Sequence, residues 1–146
     1  MFNFDKDLFI TKVKKHGIEI SRYSEHVFIC PELFAELPSL TVSCMYDAGR
    51  NAFAIGASMP ISENTESQTV NALCDRLNSI AKFYTGMQDN LLTASMELNF
   101  SEINYTDDDD AMEYAAVFVL LFKQEFDRFG VKAFQYAATG NINYLI

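Results

Sequence analysis

The sequence predicts an α+β fold, an antiparallel β-sheet packed by helices in the order α-β-β-β-α-β-β-α. Two observations carry this reading. Apolar residues alternate with period two from Val42 to Met59 and again from Leu92 to Phe100. They recur at three- and four-residue steps over 5–16, 70–80 and 111–129, the spacing that lines one face of a helix. The 146 residues read as one domain, 1–146, with 131–146 a C-terminal tail of unassigned structure, because no linker, low-complexity tract or internal repeat divides them. A compact chain of this mass buries about 68% of the surface it exposes when unfolded, enough for a real core.

The first helix is expected over Asp5–His16, with Leu8, Phe9 and Val13 on one side, Asn3 as cap and Gly17 as stop. Lys12, Lys14 and Lys15 suit the negative end of its dipole. In 18–37 the alternating pairs Ile18/Ile20 and Val27/Ile29 predict one or two short strands, interrupted by Pro31 and Pro38. Val42, Cys44 and Tyr46, then Phe53, Ile55, Ala57 and Met59, form a hairpin turned at Asp47–Asn51 and ending at Pro60. Thr65-Glu66-Ser67-Gln68 has capping-box spacing and opens a second helix, with Val70, Leu73, Cys74, Leu77 and Ile80 as its buried stripe. A short strand is expected at 81–85, then a polar turn over Gly86–Asn90, then the strand Leu92–Phe100. Thr106 followed by Asp107, Asp108 and Asp109 caps a third helix whose main stripe is Ala111, Ala115, Phe118, Phe122, Phe126 and Phe129. From Tyr114 to Phe122 that helix is apolar nearly all round, which requires packing on more than one side, with another subunit as one candidate. Gly130 is its expected stop.

Eleven basic and twenty acidic residues give a net charge of −9, which opposes binding to a phosphate backbone. Seven acids lie between Glu97 and Glu113, a stretch without one Lys or Arg, so the charge marks a single strand-to-helix junction. Charged residues at the N-terminus leave no export signal, and the longest apolar run, Tyr114–Phe122, falls well short of the roughly 20 residues of a membrane span. Cys30, Cys44 and Cys74 lack CxxC spacing and suggest neither a disulfide framework nor zinc. A cytoplasmic protein without membrane contact is therefore expected.

Chemical motifs are sparse. His16 and His26 sit in no metal or triad pattern. His26 and Cys30, four apart, share a face, so a nucleophilic Cys/His pair stands as an alternative to simple packing. Asp107–Asp110 fails the calcium-loop pattern, since the sixth position is Met112 and the twelfth Phe118. No glycine-rich phosphate loop occurs. The expectation is no enzyme, no cofactor and no metal. Candidate partner contacts are instead Phe34, Tyr114, Phe118, Phe122, Tyr136 and Tyr144, aromatics of the kind that anchor interfaces. Asp107, Asp108, Asp109 and Asp110 are candidate acidic contacts.

Leu77-Asn78 before Lys82-Phe83-Tyr84, the strand ending at Met59-Pro60, the strand around Leu92–Phe100 and the capped closing helix form a pattern over roughly Leu40–Phe129. In that pattern the chain resembles the YbjN-like family of bacterial proteins, which is similar in fold to type III secretion chaperones. Its 18–38 region and aromatic tail depart from the family. The resemblance implies a small homodimeric module, described loosely in the family as a sensory-transduction regulator, that works through protein contacts. Such chaperones hold a client segment extended along apolar grooves and strand edges, where unpaired amides and carbonyls accept an incoming strand. The expected function is thus non-enzymatic binding of a protein or peptide segment through an apolar groove or sheet edge. Two alternatives stand beside it: an acidic inhibitor or immunity-type protein for a basic partner, and a small-ligand sensor or enzyme with a cavity site.

Overall fold

The computed structural model describes residues 2–146. Helix α1 (Lys6–Lys15) is followed by β1 (Ser21–Arg22), β2 (Val27–Ile29), β3 (Thr41–Asp47), β4 (Ala52–Pro60), α2 (Ser67–Ile80), β5 (Tyr84–Gln88), β6 (Leu91–Asn99), α3 (Asp108–Phe129) and α4 (Val131–Thr139). Single 3-10 turns cover Phe100–Glu102 and Ile142–Leu145. This is the expected α+β order, with the 18–38 region resolved into two short strands and a fourth helix formed in the tail. All neighbouring strands are antiparallel, in the spatial order β1-β2-β3-β4-β6-β5.

Alternation decides which face the helices cover. Val42, Cys44, Tyr46, Phe53, Ile55, Ala57, Met59, Leu92, Ala94 and Met96 are buried, and register places them on one side. The other side carries Ser43, Ala54, Gly56, Ser58, Thr93 and Ser95, small residues half-buried or exposed. Helix α1 lies against α3, burying Phe9 and Val13. Lys12 fixes that contact by reaching Asp109 at 3.1 Å and Glu113 at 3.4 Å. Its hydrogen bond to Asp109 holds the ammonium pKa above the ordinary 10.5.

Two aromatic clusters fill the core. Phe4 stacks on Tyr46 at 4.6 Å between ring centroids, and Phe9 meets Phe28 and Phe53 edge-on at 5.0 and 5.1 Å. At the other end Phe126 meets Phe34 at 4.6 Å, Phe134 at 4.7 Å and Phe83 at 5.6 Å. Each fully buried ring contributes about 3–5 kcal/mol, read as the cost of truncating it to alanine.

Several local expectations are corrected. The α1 cap is Asp5, whose carboxylate accepts from Leu8 N–H, and not Asn3. The capping box at Thr65 does not form: the Thr65 hydroxyl donates to Ala137 O at 3.0 Å, and α2 starts from Glu66 without a side-chain cap. A tertiary bond to α4 outcompetes the local one. Ile80, the last residue of the expected α2 stripe, is exposed. The strand placed at 81–85 instead spans Tyr84–Gln88, because Lys82 N–H is drawn to Glu125 Oε1 at 2.9 Å and 81–83 bend toward α3. The α3 cap is Asp107, accepting from Asp110 N–H at 2.8 Å, while Asp110 Oδ2 accepts from Thr106 N–H at 3.0 Å. Gly130 ends α3 as expected, its N–H bonding Phe126 O, but a further helix follows at once. The glycine keeps right-handed helical backbone and joins α3 to α4, and any Cβ there would lie 2.9 Å from the Phe126 ring.

Candidate functional site

Backbone parity at the β5–β6 side of the sheet leaves one stretch of strand open. Gln88 and Leu91 flank the Asp89–Asn90 turn and form a hydrogen-bonded pair, and every second pair shares that geometry, namely Gly86↔Thr93 and Tyr84↔Ser95. Strand β5 ends there, but β6 continues on β4 through Asn99↔Ala52. By the same parity Leu98 bonds back to Phe53, whereas the N–H and C=O of Glu97 and Asn99 point to the vacated side. Two successive outward residues are what an added antiparallel strand needs for pairing.

The flank of α3 beside this stretch is apolar. Tyr114, Phe118, Leu121 and Glu125 follow at three- and four-residue steps on one side of the helix. Glu125 identifies that side as the one turned to 81–83, through its bond to Lys82 N–H. Phe118 packs edge-on against Phe53 at 6.3 Å, and Phe53 is the cross-strand neighbour of Leu98. Leu98, Phe118 and Leu121 are half-buried, while Tyr114 is 41% and Val117 44% exposed. Ile80 at the end of α2 and Tyr84 at the start of β5 are exposed as well, the Tyr84 ring approaching Gly86 on the open sheet face, and Leu91 is exposed at the other end of β5, opposite Gln88.

The sequence-derived candidates separate accordingly. Tyr114 and Phe118, four residues apart, share one side of α3, and Phe118 reaches the open stretch through Phe53, the partner of Leu98. Phe34, Phe122 and Tyr136 are core residues, 3%, 0% and 4% exposed, and offer a partner no surface in the folded chain. Tyr144 is half-buried beside Leu37, Pro38 and Gln135, away from the α3 flank. The four aspartates are largely engaged within the chain: Asp107 and Asp110 in the α3 cap and Asp109 with Lys12. Glu97, on the outer face, pairs with Arg50. Sequence reasoning missed Glu97, Leu98 and Asn99 as site residues, since only the unequal lengths of β5 and β6 expose them.

Other features fit no chemistry as well. Cys30 has Cys44 as its neighbour, and that thiol–thiol hydrogen bond followed by burial pushes the Cys44 pKa well up, so Cys44 stays protonated. His26 packs near the Tyr46 ring at 5.5 Å, so the two members of the considered Cys/His pair have separate partners. Among the described residues no group of three or more His, Cys, Asp or Glu could hold a metal. A cavity of about 570 Å³ lies between the Glu32–Glu36 loop and the α3–α4 junction, with charges of both signs and Lys123 already paired to Asp127 at 2.9 Å. No helix of the described residues is long and apolar enough to cross a membrane.

No family model matches the chain, and no curated protein matches it in sequence. Solved structures do. Over 90% of this chain and 93% of the other, it superposes on YbjN from E. coli, a candidate transcription regulator, with TM-score 0.62 and 13% identity. A chain of the ExsC–ExsE complex gives TM-score 0.60 and 10% identity over 97% of this chain and 100% of the other. A chain of the HopA1–SchA chaperone–effector complex gives 0.51 and 10% over 83% and 91%. The fold is therefore the one shared by YbjN and the type III secretion chaperones, as the residue pattern anticipated.

Proposed function

We propose that the chain is a non-enzymatic protein-binding module that takes an extended segment of a partner along the open β6 edge. The observation that carries this reading is the pair of outward-facing residues Glu97 and Asn99, with Leu98 between them joined through Phe53 to Phe118 on the apolar side of α3. Backbone groups there match an incoming strand of any sequence, and the apolar flank selects segments that place large apolar side chains toward α3. Two of the structural relatives, the ExsC–ExsE and HopA1–SchA complexes, hold a second protein, which supports the reading at the level of the fold. Self-association belongs to the same proposal: the exposed Ile80 and Tyr84, at the junction of α2 with β5, are where we place a second copy in a homodimer. The acidic junction gives the basic-partner alternative less purchase, because its carboxylates are mostly spent on caps and internal pairs.

The test is a capture experiment from native cells at low and high salt, with the unmodified chain and with Glu97→Pro and Tyr114→Lys variants as bait. The expected result is a protein retained by the unmodified chain at both salt concentrations and lost from both variants. Retention by the variants would place the contact elsewhere on the chain, and loss at high salt alone would favour a charged surface.

A further inference from the structure

The outer edge of β5 is occupied by a side chain of its own fold. Parity makes Thr85 and Met87 the residues of β5 whose N–H and C=O face away from β6. At Thr85 both groups are taken by Asn78, near the end of α2: Thr85 N–H donates to Asn78 Oδ1 at 2.6 Å and Asn78 Nδ2 donates to Thr85 O at 3.0 Å. One carboxamide thus reproduces the two hydrogen bonds that a neighbouring strand would make. The Thr85 hydroxyl shares its one proton between Asn78 Oδ1 at 2.9 Å and Cys74 O at 3.3 Å, so the side chain of the only buried polar residue among those described also ties strand to helix. With Thr85 closed, Met87 alone remains outward on β5, and a single residue cannot seed a ladder.

We propose that Asn78 is an edge plug, the residue that closes the outer edge of β5 to strand addition. An asparagine suits this task because its amide carries a donor and an acceptor side by side, the same pair a backbone presents. Alanine lacks both, and an ionised aspartate keeps only the acceptor. The plug acts on the isolated chain, so it holds or fails whether or not the partner-binding proposal is correct.

The test compares Asn78→Ala with Thr85→Val in the full chain. Thr85→Val loses the hydroxyl bonds but keeps the backbone pair with Asn78, so it controls for loss of stability. Amide hydrogen exchange at Thr85 is read alongside the concentration dependence of sedimentation. Asn78→Ala is expected to speed Thr85 exchange at least tenfold and to add larger, strand-paired species above those of the unmodified chain, whereas Thr85→Val is expected to do neither. Unchanged Thr85 exchange in Asn78→Ala, or equal association by Thr85→Val, would overturn the plug. Should Asn78→Ala fail to fold, Asn78→Asp is read the same way: Thr85 N–H stays protected, Thr85 C=O is freed and association rises. An Asn78→Asp chain that folds and sediments like the unmodified one would overturn the plug as well.

Discussion

The two lateral edges of the sheet are built on opposite plans. On the β1 side the edge strand is two residues long, Arg22 is its one outward residue, and the Arg22 guanidinium turns back to Ser24 O at 3.0 Å. A short, charged strand offers an incoming chain nothing to zip along. On the β5–β6 side the edge is long but stepped: β5 is plugged at Thr85, and past its end β6 runs on alone beside the apolar flank of α3. The contrast teaches that exposure of a strand is not what makes an edge available. Consecutive outward residues and an apolar neighbour do, and only one place on this sheet combines them.

Substitutions break or sharpen this contrast in graded steps. The largest effect is expected from Leu98→Pro, because parity makes that N–H a ladder donor to β4: chemical denaturation should show a loss of about 3 kcal/mol or more. Glu97→Pro, one residue away, removes an outward N–H and an exposed ion pair, so its expected loss is about 1 kcal/mol with partner capture abolished. Equal losses for the two prolines would mean that the parity is wrong. Phe118→Ala, half-buried against Phe53, should cost about 2 kcal/mol and weaken capture. Tyr114→Ala should leave stability within about 0.5 kcal/mol and weaken partner affinity about tenfold or more in a titration of the captured partner. Arg22→Ala, on the blunt edge, should move neither quantity beyond about 0.5 kcal/mol.

Much of the scaffold was legible because its signals are local. The alternation in β3, β4 and β6 gives each a buried face, and Asp107 and Asp110 cap α3 as short polar residues do. What misled were residues whose local option loses to a distant partner. Thr65 had capping spacing but donates to α4, and the alternation of Ala81, Phe83 and Thr85 continues across a bend imposed by Glu125. Gly130 does terminate α3, and its missing side chain also serves close approach to Phe126, with α4 following directly. The aromatic candidates show the same division. Composition flagged them, but burial sent Phe34, Phe122 and Tyr136 to the core and left Tyr114 exposed and Phe118 half-buried on α3. The open stretch itself has no sequence signature, since it arises from the four-residue difference by which β6 outruns β5. Asn78 was visible as part of a Leu-Asn pattern, though its hydrogen-bonding role needed the fold.

The account stands most directly on backbone amide exchange of the chain with and without its captured partner. The prediction is that the Glu97 and Asn99 amides slow at least tenfold on binding, while those of Arg22 and Thr85 keep their free-state rates. Protection at Arg22 or Thr85, with Glu97 and Asn99 still exchanging as in the free chain, would contradict it.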